Sequence, residues 1–150
     1  MPQSLVKILI HAVFSTKNRS DLIVPEIESD LFGYMNGIVE NNSSKLILAN
    51  GTSNHVHLLI SLGKTLSISE LIGDIKRDSS VWIKKQDSQF SNFHWQEGYG
   101  AFSVGQTQVN DVLKYIGNQK EHHKQKSFEN EMRSFYDKYE IDFDERYVWD

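Results

Sequence analysis

The sequence predicts an α+β domain of the ferredoxin-like (RRM-like) kind, a βαββαβ antiparallel sheet with additional C-terminal helices. Segments rich in β-branched residues alternate with longer segments of helical apolar spacing. Their order is strand, helix, strand, strand, helix, strand, followed by helices. The 150-residue length, with 39% hydrophobic and 24% charged residues, suits one domain. A chain of this size buries roughly two-thirds of its unfolded surface.

Residues 4–15 (SLVKILIHAVFS) are rich in Val and Ile and read as the first strand. Its imperfect alternation is expected of a strand covered on both faces for part of its length. After a basic loop over 16–24, Pro25 suits a helix start. Ile27, Leu31, Tyr34 or Met35, and Ile38 then follow at helical spacing. Residues 44–49 and 54–62 read as a hairpin, with Asn50-Gly51 as its turn signal. A second helix is expected over 67–86, capped by Ser67 or Ser69. Its apolar stripe is Leu71, Ile72, Ile75, Ser79, Trp82 and Ile83. Residues 98–105 read as a short last strand with glycines at both ends. A third helix is expected from Gln106 or Thr107 to about Lys126, and a fourth over roughly 128–139.

Composition excludes several kinds of chemistry. There are no cysteines, so disulfides, thiolate metal sites and cysteine nucleophiles are absent. That fits a reducing compartment, and a cytoplasmic location is expected. No run of about 18 apolar residues is present, so no membrane partner is expected. The start of the chain lacks a basic n-region and a small-residue cleavage site, which argues against a secretory signal. Net charge is −4, unevenly spread. Residues 1–126 carry 13 Lys and Arg against 12 Asp and Glu, whereas 127–150 carry 3 against 8. The acidity therefore sits at the C-terminal end, and charge does not exclude nucleic acid over the rest.

Two constellations carry candidate chemistry. On a strand, Val56, Leu58, Ile60 and Leu62 form a core-facing row, and His55, His57 and Leu59 project to the other face. The two imidazoles then lie about 6–7 Å apart along the strand and can converge on one metal ion. On the third helix, Val109, Val112, Leu113 and Ile116 form an apolar stripe. Tyr115 and Gln119, four apart, share one face at its edge, with His122 close to the same line. A phenol there can act as a nucleophile, and an amide oxygen can complete a metal's coordination. Each feature also has a plain structural reading: half-exposed strand histidines, and a boundary tyrosine that only buries its ring.

Four segments in order, HAVFSTKNR (11–19), NHVHLLI (54–60), WQEGYGAFSV (95–104) and YIGNQKEHH (115–123), resemble the HUH single-tyrosine transposases of small bacterial insertion sequences. The related REP-associated tyrosine transposases are similar. The resemblance implies a ferredoxin-like palm binding Mg²⁺ or Mn²⁺ through His55, His57 and Gln119, with Tyr115 as nucleophile. It implies cleavage and rejoining of single-stranded DNA at insertion-sequence ends through a 5′-phosphotyrosine, hairpin-bearing DNA as partner, and a homodimer. Residues 1–126 would be the catalytic domain with its tyrosine helix, and 127–150 an acidic helix and tail of the same domain.

The chemistry is coherent. A phenol of pKa near 10 is a poor nucleophile, and a metal on the scissile phosphate withdraws charge and orients attack. Imidazole ligands favour Mn²⁺ over Mg²⁺, so Mn²⁺ binding at least as tight is expected. Two positions depart from the family. Asn54 stands where many relatives have an acid before the first histidine, and Gly117 interrupts the stretch between Tyr115 and Gln119. Asn54 and His122 are candidate supports of the ligand shell. Candidate DNA-binding cations are Lys17, Arg19, Lys76, Arg77, Lys84, Lys85, Lys120 and Lys124, within clusters that extend to Lys126. Trp95, Tyr99 and Phe102 are candidates for base stacking, Phe102 also for the core. Two other readings stay open: a non-catalytic single-stranded DNA-binding or regulatory protein of the same fold, and a histidine-triad nucleotide hydrolase. The latter needs a third histidine where Leu59 stands.

Overall fold

The computed structural model describes residues 2–150. Four strands, β1 (Leu9–Ser15), β2 (Lys45–Gly51), β3 (His55–Ser61) and β4 (Gly100–Val104), form one sheet in the order β2-β3-β1-β4. All three pairings are antiparallel. Helix α1 (Pro25–Asn41) joins β1 to β2, and α2 (Ile68–Lys84) leads from β3 toward β4. Three helices follow: α3 (Val109–Gly117), the single turn α4 (Gln119–His122) and α5 (Phe128–Lys138). The expected βαββαβ order is present.

Alternation along the central strands divides the core in two. Ala12, Phe14, Val56, Leu58 and Ile60 face Leu31, Met35 and Val39 of α1 and Leu71, Ile72, Ile75 and Ile83 of α2. On the opposite face, Val13 and Phe102 pack on Phe128, Met132 and Tyr136 of α5, and Leu9, Leu59 and Val104 pack on Ile116 of α3. Strand β1 is thus buried along its whole length, which is why its sequence is nearly continuous in apolar residues. The additional helices form a third layer on the remaining face of the sheet.

Several local expectations are corrected. The first strand starts at Leu9 rather than residue 4, because residues 5–8 are exposed. Asn50-Gly51 is not the hairpin turn: both residues lie in β2, and the turn spans 52–54. Gly51 instead permits a close backbone approach, since a Cβ there would stand 2.2 Å from the His55 carbonyl oxygen. Asn50 donates from Nδ2 to the carbonyls of Ile116 (2.9 Å) and Gly117 (3.2 Å). It satisfies the exposed end of the tyrosine helix from the side. That helix is not continuous to Lys126. It opens with a 3₁₀ turn over Gln106–Gln108 and breaks after Gly117 at Asn118. Both residues are weak helix formers, so the chain bends there at low cost.

Other elements lie close to expectation. The Ser67 hydroxyl accepts from the Glu70 amide at 3.1 Å and caps α2. Met35, rather than Tyr34, takes the buried position of α1. Tyr34 is exposed and stacks on Trp82 at 5.7 Å. Trp95 is buried against Phe14 and Phe93, its indole donating to Ser79 Oγ at 3.0 Å. Phe102 is buried as well, so neither offers a face for base stacking.

Gly51→Ala is expected to lower the unfolding free energy by about 1–3 kcal/mol, the usual range for forced overpacking. Urea denaturation measures it, and an unchanged midpoint would show that the hairpin relieves the clash.

Candidate active site and metal centre

Strand β3 presents His55 and His57 to the layer formed by α3, α4 and α5, on the face it shares with Leu59. Leu59 is buried in the apolar cluster under α3, so no imidazole stands where the histidine-triad pattern needs one. His55 Nδ1 lies 2.7 Å from Asn54 Oδ1 and 2.9 Å from Thr52 Oγ1, and the Thr52 hydroxyl donates to the same amide oxygen at 3.1 Å. An acceptor at Nδ1 places the proton there and leaves the His55 Nε2 lone pair directed into the site. The Asn54 amide therefore orients the imidazole.

His57 has a partner on each side. Its Nδ1 is 2.7 Å from Nε2 of His11, and its Nε2 is 3.1 Å from Oε1 of Glu131. His11 comes from β1, diagonal to His57 in the register that pairs Val13 with His57. His123 Nε2, just past α4, lies 3.0 Å from both His55 Nε2 and Glu131 Oε1. The ligand atoms of His55, His57, His123 and Glu131 all fall within 4.8 Å of one another, so the group is able to hold a metal ion.

Tyr115 and Gln119 meet the histidines from the third layer. The Tyr115 hydroxyl donates to Glu131 Oε2 and lies 3.3 Å from His122 Nε2. Gln119 is fully buried beside His55, and its Nε2 donates to the Tyr115 carbonyl at 3.3 Å. Its Oε1 is buried with no hydrogen-bond partner. Leaving such an acceptor unpaired costs about 1–3 kcal/mol, which a cation next to His55 would offset. This orphaned oxygen and the inward-facing His55 nitrogen fit a divalent ion.

Burial governs the electrostatics. It pushes His55 well below its ordinary value, helped by its imidazole neighbours, and it lowers His57 against the opposing pull of Glu131. His11 is pushed down to about 3, by burial first and by His57 second. Burial also opposes ionisation of Glu131, but hydrogen bonds from His123 and His57 outweigh it and hold the carboxyl below the usual carboxylate range. The Tyr115 phenol is pushed up by burial and by the Glu131 charge. Burial therefore favours the neutral forms of His11, His55 and His57 around one carboxylate.

The expected DNA-binding cations divide between the two faces. Lys120 and Lys124 line a hollow with His123, and Arg19 borders a second one with Asn54 and His123. Lys17 lies in the same loop as Arg19 and is exposed. Arg19 donates to the Trp149 carbonyl at 2.6 Å, Lys120 pairs with Glu28 at 2.7 Å, and Lys124 pairs with Glu121 at 2.9 Å. Lys76, Arg77, Lys84 and Lys85 lie across the sheet, on α2 and at its end, so the structure does not bring them to the histidines. Lys76 donates to the carbonyls of Gln96, Glu97 and Gly98, and burial lowers it to about 8.

Sequence reasoning passed over His11, His123 and Glu131. The signal for Glu131 is an acid inside the apolar face Phe128, Met132 and Phe135 of a predicted helix. His123 adjoins His122, and His11 interrupts an otherwise apolar strand.

The family model described as transposase IS200 like matches residues 4–119. The chain belongs to the IS200-like transposase family. Transposases of the insertion sequence element IS200 from Salmonella typhimurium and Salmonella typhi are 25% identical over 112 residues, covering 70% of this chain and 74% of theirs. A candidate transposase of Deinococcus radiodurans R1 shares the fold at a TM-score of 0.62 with 20% identity, over 79% of this chain and 98% of its own. A REP-associated tyrosine transposase bound to a REP hairpin also reaches 0.62, with 13% identity, over 82% of this chain and 73% of its own. Among the described residues, no helix of this family member is long and apolar enough to cross a membrane.

The lowered His11 value sets a pH dependence. As pH falls below 6.5 the unfolded chain takes up a proton that folded His11 refuses until about 3, so stability drops through that window. The loss is at most about 1.4 kcal/mol per pH unit. His11→Gln is expected to flatten the decline of melting temperature below pH 6.5, and a parallel decline would remove His11 as its source.

Proposed function

We propose that this transposase cuts and rejoins single-stranded DNA at insertion-sequence ends, with Tyr115 as nucleophile and His55, His57 and Gln119 as ligands of Mg²⁺ or Mn²⁺. The observation that carries the reading is the shared Glu131 carboxylate. One oxygen receives the Tyr115 hydroxyl and the other lies 3.1 Å from His57 Nε2. Phenol and imidazoles therefore open on one site within one chain. A homodimer belongs to the same reading.

The bound ion would neutralise and orient the scissile phosphate. Tyr115 Oη attacks phosphorus, the bond to the 3′ oxygen breaks, and a 5′-phosphotyrosine and a 3′-hydroxyl result. A 3′-hydroxyl of another DNA end then attacks the same phosphorus and releases Tyr115, so rejoining needs no external energy source. His122 Nε2, 3.3 Å from the phenol oxygen, is the acceptor for its proton, which then passes to the departing 3′ oxygen, while Glu131 Oε2 orients the hydroxyl. In the ligand state His57 must present Nε2, so its proton belongs on Nδ1, where His11 Nε2 accepts it.

A pocket of about 350 Å³ beside the phenol gives the DNA an approach; Tyr115, His122, Lys126, Phe135, Lys138 and Tyr139 line it. Cations suit the phosphates and the aromatic rings suit unstacked bases. Lys126 also borders the hollow that holds Arg19 and Asn54, so a strand can pass along both. The DNA contacts in this reading come from Lys17, Arg19, Lys120 and Lys124 together with Lys126.

Single-stranded DNA from the gene's flanks, incubated with protein and Mn²⁺, should yield a covalent adduct on a denaturing gel. Tyr115→Phe should abolish the adduct while DNA binding persists. A Tyr115→Phe protein that cleaves like wild type would refute the nucleophile, and binding with no adduct in wild type would favour a non-catalytic DNA-binding protein. Calorimetry should show Mn²⁺ binding at least as tightly as Mg²⁺, with the affinity lost in His57→Ala.

A further inference from the structure

We infer that α5 completes the metal centre, with Glu131 Oε1 as a ligand beside His55 and His57 while Oε2 of the same carboxylate holds the Tyr115 hydroxyl. The inference deepens the reading above and rests on its assignment of the histidine pair to a metal ion. Residue 131 lies beyond the segment, 4–119, that the family model matches.

Glu131 is only 1% exposed, and a carboxylate is almost never so deeply buried without a counter-charge. Its ion-pairing neighbours among the described residues are His55, His57, His122 and His123, and no lysine or arginine is among them. Imidazole N–H groups give this carboxylate its hydrogen bonds. A divalent cation among the same nitrogens supplies the counter-charge.

Glu131 Oε1 is 3.0 Å from His123 Nε2, 3.1 Å from His57 Nε2 and 3.6 Å from His55 Nε2, so one oxygen faces three potential nitrogen ligands. The other oxygen is on the phenol. A carboxylate bridging in this way fixes the distance between nucleophile and ion, which two separate ligands cannot do.

Packing holds Glu131 there. Phe128, Met132 and Tyr136 on the same helix are buried against Val13 and Phe102. The sheet is cut away to receive them: a Cβ on Gly100 would stand 2.5 Å from Met132 Cε. Ser127 caps the helix by accepting from the Asn130 amide at 3.2 Å. The carboxylate thus arrives on a rigid, anchored turn.

A carboxylate added to two imidazoles strengthens binding of the ion before DNA supplies any oxygen. Calorimetric titration of the DNA-free full chain with MnCl₂ tests this. Wild type should bind, and Glu131→Gln should weaken binding by about tenfold or more. Weakening in His57→Ala but not in Glu131→Gln overturns the role of Glu131 alone. Unchanged affinity in both overturns the histidine site as well. Should Glu131→Gln fail to fold, a wild-type crystal soaked in MnCl₂ decides by anomalous scattering. An ion in contact with Glu131 supports the inference, and one held by His55 and His57 without it overturns it.

Discussion

Because side chains alternate along β3, the segment that builds the core also builds the site. Val56, Leu58 and Ile60 enter the layer of α1 and α2, and the intervening His55 and His57 must face the other way. A one-residue slip in pairing would exchange the two sets, burying imidazoles among leucines and isoleucines. The apolar packing of one face thereby holds the register of the histidine face. Asn54 and Thr52 in the hairpin turn, and His11 on β1, then set the ring orientations.

The third layer turns these histidines into a closed polar cluster. A sheet face carrying imidazoles is costly to bury unless each ring finds a partner, and here the partners come from α4, α5 and the residues after them. Glu131 accepts from the rings of His57 and His123, and Tyr115 and His122 close the outer side. Among the described residues, Gln119 Oε1 alone is a buried side-chain polar atom left unpaired. The network is a buried carboxylate ringed by imidazole nitrogens, an arrangement that favours a cation at its centre. Tyr115 and the groups that touch its hydroxyl belong to the same network, so the phenol and the histidine cluster are linked through one side chain. The break at Gly117 and Asn118, held by Asn50, separates the tyrosine helix from the Gln119 turn and lets each face the site at its own angle.

Local chemistry alone determined the order of elements, a serine cap at 67 or 69, the orientation of the histidine pair and the candidacy of Tyr115 and Gln119, because period-two and helical spacing are properties of short segments. Other features depend on contacts between residues distant in the chain, and no spacing rule reports those. Gly51 reads as a turn residue until the close approach of the His55 carbonyl is seen, and Lys76 reads as a free cation until its three carbonyl partners are seen. Only the folded structure decided that α3 to α5 lie on the histidine face, that Glu131 and His123 join His55 and His57, and that the cations of α2 lie across the sheet. The physical reason is burial: Glu131 looks like one more charge in an acidic C-terminal segment, and its meaning appears only when packing removes it from water and sets it among imidazoles.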